Sequence, residues 1–142
     1  MAAHDETLLD VLNRQRVGRG LPPMAPSPAT VELAWISSGR LFRLVARESC
    51  AEADFMSYEE SGRPLPSTSD DRLRLSWAGV STFLTLEAAT ARSGALRKEW
   101  FAVLEIAADR PVLVVRGRRE HVDVYAGPDV LLSFVVEVLR CR

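Results

Sequence analysis

Apolar and polar residues alternate with a period of two in short segments, and this feature most limits what the chain can fold into. Successive side chains of a strand point to opposite faces, so each such segment predicts a strand with one buried face. The predicted strands are residues 31–35, 40–47, 54–59, 72–77, 82–87, 100–106, 112–116 and 121–125. The last three have short connections, which favours a sequential antiparallel meander. Trp35, Trp77 and Trp100 each lie on an apolar face and are predicted to pack in the core.

The two ends of the chain have a different pattern. Asp5 or Thr7 could cap a short helix that runs to Arg16, and four prolines follow within residues 21–28. At 142 residues the chain fits one domain, so we predict an arm over residues 1–29 and a folded domain over residues 30–142. The arm is expected to be a loosely docked extension, with a docking peptide for a partner as the alternative.

The C-terminal segment has helical spacing. Pro128 suits a first-turn position, and Asp129 places negative charge at the positive end of the helix dipole. Its apolar positions are Val130, Leu131, Phe134, Val135, Val138 and Leu139. This spacing predicts a helix over 129–140 that lies on the sheet. The Ala-rich residues 88–98 contain Gly94, and we predict a loop with room for one helical turn.

This order of elements resembles the pleckstrin-homology (PH-like) superfold. The resemblance is strongest over Trp100–Leu139, where a strand containing an aromatic residue precedes a meander that leads into the terminal helix; Phe134 stands where that family usually has a tryptophan. In the first half, Arg40–Leu44 resembles the second strand and Phe55–Tyr58 the third. The resemblance implies a mainly β fold, an antiparallel β-sandwich or partly open barrel of seven to eight strands capped by one C-terminal helix.

Composition excludes several classes of protein. The formal net charge is −1, whereas a nucleic-acid platform would carry a clear positive excess, so we expect no nucleic-acid partner. No apolar run reaches the length of a membrane span, and residues 1–6 do not have the layout of a secretory signal. Cys50 and Cys141 are expected to be free thiols in a reducing compartment. We therefore expect a cytoplasmic protein, with cytoskeleton or membrane association as further options.

Catalytic, cofactor and metal motifs are missing from the sequence. There is no phosphate-binding loop, zinc-binding histidine pair or serine nucleophile elbow, and the two histidines are His4 and His121. Acidic residues follow Cys50, which opposes thiol activation. We expect no enzyme activity and no cofactor.

Arginines form the candidate binding sites, since Lys98 is the chain's one lysine. Two groups could contact an anionic surface, and they comprise Arg40, Arg43 and Arg47 on the second strand and Arg116, Arg118 and Arg119 in a predicted hairpin turn. In the second strand the arginines alternate with apolar residues and are expected to face solvent. Arg92 is one of four further arginines that could join the hairpin group if folding brings them together.

The function predicted is a non-catalytic protein-interaction module, an adaptor or scaffold in a cytoskeletal or other multi-protein assembly. Its partner would bind an exposed strand edge or a groove beside the C-terminal helix at Leu132 and Val136, a surface that could also form a homodimer. Two alternatives remain open. One is a dimeric secretion-chaperone-like or immunity-type binding protein, and the other is a phosphoinositide or membrane-surface binding module.

Overall fold

A computed structural model describes residues 6–24, 32–67 and 70–141 of the chain. The described helices are α1 (Leu8–Gly18), α2 (Asp71–Ala78), α3 (Leu86–Leu96) and α4 (Pro128–Ser133). The described strands are β1 (Leu33–Ile36), β2 (Arg40–Val45), β3 (Val80–Phe83), β4 (Trp100–Glu105), β5 (Val112–Arg116), β6 (His121–Tyr125) and β7 (Val135–Arg140). A single 3-10 turn covers Glu52–Phe55. Predictions that involve His4, Asp5, Val31 and the prolines at 26 and 28 lie outside the described residues.

The seven strands form one antiparallel sheet in the order β1-β5-β6-β3-β2-β4-β7, which stays open and does not close into a barrel. The predicted mainly β fold of seven antiparallel strands with a helix in the C-terminal segment is confirmed. The β5–β6 hairpin of the predicted meander is also confirmed. The meander is wrong for β4, which pairs with β2 on one side and β7 on the other.

Alternating side chains build the main core on one face of this sheet. Val112 and Val114 of β5 and Val122 and Val124 of β6 point to that face, whereas Leu113 points to the other. The 3-10 turn adds Phe55, and α4 with the residue after it adds Leu131 and Phe134. The period of two in the sequence therefore defines the buried face as predicted.

Helices cover the opposite face. Leu12 of α1 and Leu75 of α2 pack with Leu113 and Tyr125, while Ala89 of α3 packs on Leu44 and its neighbours. The predicted N-terminal helix is confirmed, and Thr7 caps it through a capping box with Asp10. Because Leu12 is fully buried, α1 is packed on the sheet.

The predicted helix over 129–140 is wrong in its second half. Helix α4 ends at Ser133, and Val135–Arg140 is the edge strand β7. Its β-branched valines favour a strand, and the free edge of β4 supplies backbone partners along its length. That free edge is a tertiary feature that a local pattern does not contain.

The predicted strand over 72–77 is wrong, because this segment is helix α2. Asp70 caps α2 by accepting from the Arg72 amide, and Leu75 and Ala78 are buried at helical spacing. Over so few residues, an apolar residue at every second position does not distinguish a strand from a helix. Leu73, expected in the core, is exposed.

Four further predictions need correction. The strand over 54–59 is absent, because that region holds the 3-10 turn and a hydrogen-bonded turn after it. The strand predicted over 82–87 is β3, which runs from Val80 to Phe83. The predicted loop over 88–98 lies mostly in α3, which Thr85 caps by accepting from the Ala88 amide. Trp35 is 42% exposed and so lies outside the core.

Candidate functional site: a basic groove beside His121

Two adjoining cavities, of about 200 and 400 Å³, form a groove on the face of the sheet that carries α3. Both are lined by Phe83, Arg92 and His121. Arg43 and Lys98 line the smaller cavity, and Arg118 and Arg119 line the larger one. We call these seven residues the basic groove. Five of them carry a permanent or near-permanent positive charge, and His121 joins the two halves.

Arg43 lies half-buried in the wall of the smaller cavity, where strands β2 and β3 separate. The two strands pair only at Phe42 and Phe83, so the Ser81 carbonyl has no ladder partner from β2. Arg43 Nη1 donates to this carbonyl at 2.7 Å, and its Nε donates to the Asp54 carbonyl at 2.8 Å. Burial lowers the pKa of Arg43. The prediction that Arg43 faces solvent is therefore wrong.

His121 is positioned by its neighbours in the sheet. Its Nε2 lies 2.6 Å from Ser81 Oγ, and its ring meets Phe83 edge-on with centroids 5.4 Å apart. Burial, followed by the positive charges of Arg92 and Arg43, lowers the pKa of His121. Burial and the positive charge of the groove therefore both disfavour the imidazolium form of His121.

Asp123 lies two residues further along β6, on the same face as His121. Its Oδ1 is 3.7 Å from His121 Nε2, is buried, and has no hydrogen-bond partner among the described residues. Burial raises the pKa of Asp123 to about 7, although a hydrogen bond from Ser76 and the charge of Arg43 act in the opposite direction. Asp123 therefore offsets the positive charge of the groove only partly near neutral pH.

Helix α3 and its C-terminus bring Arg92 and Lys98 to the groove. The helix ends at Leu96 and is capped by Arg97, which has a left-handed backbone (φ 53°), and the Lys98 amide donates to the Ser93 carbonyl. Burial, then the nearby charge of Arg43, lowers the pKa of Lys98. Within the described ranges, neither Arg92 nor Lys98 forms a salt bridge with a carboxylate.

Arg118 and Arg119 come from the tight turn between β5 and β6. The turn places Arg119 and Glu120 at positive φ (55° and 61°), which non-glycine residues adopt at a cost in free energy. Glu120 is held there because its carbonyl accepts from the Leu84 amide and its carboxylate accepts from Thr85 Oγ1 at 2.5 Å. The fixed turn directs the two arginines toward the cavity that Arg92 lines.

The other predicted site residues lie elsewhere. Arg40 forms long, exposed ion pairs with Glu105 (3.6 Å) and Glu137 (3.9 Å). Arg47 is exposed in the bend after β2, and Arg116 is exposed at the end of β5. The structure therefore brings Arg43, Arg118 and Arg119 into one groove and leaves the other three arginines outside it.

Leu132 and Val136 belong to different elements. Leu132 is half-buried in α4 against the main core, and Val136 is 53% exposed on the edge strand β7. The predicted helix that would place both on one face ends at Ser133. A partner groove at these residues stays a prediction, and it would have to combine a short helix with a strand edge.

Sequence reasoning missed the parts of the groove that come from separate elements. Lys98 is not among the predicted site residues, and the condition stated for Arg92, that folding brings it to the hairpin turn, is met. The signal in the sequence that could have pointed to Lys98 is that it is the one lysine of the chain and ends a segment compatible with a helix. Ser81 and Asp123 carry no local motif, since their roles depend on the pairing of β3 with β6.

The geometry at His121 differs from that of a Ser-His-Asp triad. In a triad the serine contacts one ring nitrogen and the carboxylate orients the other. Here Ser81 and Asp123 are both nearest to Nε2. Among the residues that the structure describes, no three His, Cys, Asp or Glu side chains cluster as metal ligands would. Cys50 and Cys141 are free thiols, and burial raises the pKa of each.

None of the helices in the described part of the chain is both long and apolar enough to cross a membrane. No protein-family model, curated protein or solved structure matches this chain. The resemblance to the pleckstrin-homology superfold accordingly stays a prediction, and so does the division into an arm and a domain.

Proposed function

We propose that this protein is a non-catalytic interaction module that binds an acidic peptide segment of a partner protein in the basic groove. The observation that carries this proposal is that Arg92, Lys98, Arg118 and Arg119 converge there without a carboxylate partner among the described residues. Unpaired cations that share a recess favour a ligand with several negative charges. The proposed setting is a cytoplasmic multi-protein assembly.

The shape of the groove supports a peptide over a single phosphate group. Its charges extend across two cavities, and the apolar side chains of Leu44 and Leu96 line the smaller cavity while Phe83 lines both. An extended segment in which acidic and apolar residues alternate would satisfy both kinds of lining. A lipid headgroup would instead need donors that converge on one or two phosphates. Of the three second-strand arginines predicted to contact an anionic surface, Arg43 lines the groove, whereas Arg40 and Arg47 lie outside it.

A binding role is also supported over a catalytic one. Ser81 and Asp123 both lie nearest to Nε2 of His121, so among the described residues no carboxylate is recorded at the other ring nitrogen, where a catalytic triad has one. Burial and the neighbouring positive charges of Arg92 and Arg43 lower the pKa of His121. An acidic ligand would then stabilise the imidazolium, which makes His121 a reporter of binding.

Fluorescence anisotropy with a labelled peptide of alternating Glu and Leu tests the proposal. We expect Arg92→Gln/Arg118→Gln to weaken binding about tenfold, because two charge-assisted contacts are lost. The matched control Arg47→Gln/Arg116→Gln removes the same charge from exposed positions outside the groove and should change affinity by about twofold at most. Equal losses in both double variants, or no binding by the wild type, would contradict the proposal.

Two further measurements locate the site and separate the alternatives. In an NMR titration the peptide should raise the pKa of His121, while His4 serves as the internal reference. Co-sedimentation with phosphoinositide vesicles at matched protein concentration compares a membrane ligand. If the vesicles bind through Arg92 and Arg118 and the peptide does not, the lipid alternative replaces the peptide proposal.

A further inference from the structure

A separate cavity, of about 310 Å³, lies between the C-terminal end of α1 and the β6–α4 connection, on the side of the molecule that carries α1. Its walls are mostly apolar, and they are formed by Leu12, Pro111, Val112, Tyr125, Ala126 and Val130. Three arginines also line it, namely Arg16, Arg19 and Arg110. None of these residues belongs to the basic groove.

Two of the three arginines are already engaged. Arg16 donates from both terminal nitrogens to Glu59 and from Nε to the Pro22 carbonyl. Arg110 donates to Ser133 Oγ at 2.8 Å and lies over the Phe134 ring at 4.9 Å. The charge of Arg16 is therefore paired with Glu59, and Arg110 is exposed to solvent and held over the Phe134 ring.

Arg19 is different. Its Nε and Nη1 are buried from solvent and have no hydrogen-bond partner among the described residues. A buried donor without a partner costs free energy, and a guanidinium retains its charge at any ordinary pH. Because Gly127 has no side chain, the Arg19 side chain can lie close to it, with Nη1 3.7 Å from the position that a Cβ would occupy. The arrangement leaves a cation at the wall of an apolar cavity.

The carboxylate of Asp129 lies near Arg19 but does not pair with it. Asp129 Oδ1 lies 2.7 Å from the same Cβ position of Gly127, yet Asp129 and Arg19 form no salt bridge in the described ranges. Asp129 is exposed at the start of α4, where water and the helix N-terminus stabilise its charge. The cation in the cavity is thus left for a ligand.

We propose that this cavity binds a small carboxylate that carries an apolar chain, with the carboxylate on Arg19 and the chain among the apolar walls. A single unpartnered guanidinium matches one negative charge, whereas a phosphate dianion would need additional donors. The volume lies at the small end of the range for ligand sites, which favours a medium-chain alkyl carboxylate over a long lipid. This site is independent of the proposed peptide groove.

Titration with octanoate below its micelle concentration, followed by calorimetry and amide NMR, tests this proposal. We expect octanoate to bind with shifts centred on Leu12, Val112 and Val130, and octanol to bind at least about tenfold more weakly. Arg19→Met should lose about tenfold in octanoate affinity, whereas Arg14→Met, which changes an exposed arginine of the same helix, should bind as the wild type does. Equal binding of octanol and octanoate, or no octanoate binding, overturns the proposal.

Additional variants keep the test decisive. Without ligand, Arg19→Met should raise the midpoint temperature of unfolding, because it removes buried unpaired donors; a fall contradicts the assignment. Val130→Phe fills the cavity and should abolish binding with Arg19 intact. Asp129→Asn should leave octanoate affinity equal or higher, and a loss would show that Arg19 alone does not hold the carboxylate. Weaker octanoate binding by Arg92→Gln/Arg118→Gln would place the ligand in the basic groove and overturn the second site.

Discussion

The Asp123 side chain is almost fully buried in the folded protein. The free energy of its ionised form is raised by burial more than it is lowered by Ser76 and Arg43, which is why its pKa is raised to about 7. The folded protein therefore retains this proton at pH values where the unfolded chain, with an ordinary pKa of 3.8, has released it. Stability from this group is present at low pH and is lost as the pH rises through about 7.

Asp123→Asn should remove that pH dependence. Between about pH 5 and pH 8 we expect the wild type to lose about 2–3 kcal/mol more unfolding free energy than Asp123→Asn, measured by urea denaturation at both pH values. The lowered pKa of His121 has the opposite effect, since the stability that this group contributes is lost as the pH falls below about 6.5. Both proteins contain His121, so this effect cancels in the comparison. Asp109→Asn, at an exposed turn, should behave as the wild type. A parallel pH dependence in wild type and Asp123→Asn would contradict the assignment.

Arg16 and Glu59 form a buried ion pair that joins α1 to the hydrogen-bonded turn at residues 58–62, which follows the 3-10 turn. The two terminal nitrogens of Arg16 lie 2.8 and 2.7 Å from the carboxylate oxygens, and both side chains are almost fully buried. Removing one partner would leave the other charge buried and unpaired, which is more costly than removing both.

We therefore expect Arg16→Met to lower the unfolding free energy by about 3–5 kcal/mol and Arg16→Met/Glu59→Leu to recover most of this loss. Arg14→Met breaks only an exposed pair with Glu6 and should change stability little. Urea denaturation at constant pH measures all three. A double variant less stable than Arg16→Met would show that the carboxylate is not the source of the cost.

Among the elements, α3 decides whether Arg92 reaches the groove. Gly94 made this segment ambiguous in sequence, because glycine lowers helix stability. In the structure Gly94 lies inside α3, is exposed, and a Cβ built on it would meet no atom within 4 Å. The helix therefore forms in spite of the glycine, supported by the Thr85 cap and the burial of Ala89.

Gly94→Ala should stabilise the protein by about 0.5–1 kcal/mol, because alanine restricts the unfolded chain and favours the helix. The contrasting control is Gly39→Ala. Gly39 has a φ of +89° in the turn before β2, and a side chain there is strained although space is available. Thermal unfolding of the two variants should therefore shift in opposite directions. A Gly94→Ala variant without added stability would indicate that residues 86–96 are not helical in solution.

At the scale of the whole molecule, the question is whether the N-terminal arm belongs to the fold. Leu12 is fully buried among residues of α2, β5 and β6, and the Arg16–Glu59 pair lies one helical turn further along α1. These contacts describe a helix that covers part of the sheet. An arm that is only loosely docked would contribute little to global stability.

Leu12→Ala should lower the unfolding free energy by about 2–5 kcal/mol, in a single transition seen by both fluorescence and circular dichroism. Val17→Ala, at a side chain that is 59% exposed on the same helix, should stay within about 0.5 kcal/mol of the wild type. If Leu12→Ala had no more effect than Val17→Ala, the boundary near residue 29 would be supported instead.

Local patterns determined those parts of the protein whose structure depends on neighbours in sequence. The Thr7-capped helix, the β5–β6 hairpin and the buried faces of β4, β5 and β6 follow from capping chemistry and a period of two. They could be predicted because each pattern has one stable solution over its length. The mainly antiparallel β fold followed from their number and short connections.

The tertiary structure alone decided the rest. Residues 72–77 became helix because α1 and β5–β6 offered Leu75 and Ala78 a surface to pack on, and residues 135–140 became a strand because β4 had a free edge. The basic groove likewise needs β2, β3, β6 and α3 together, since its charges lie far apart in sequence. Backbone groups pair with, and apolar side chains pack on, whichever neighbours the whole fold provides. The sequence of a single segment does not specify those neighbours.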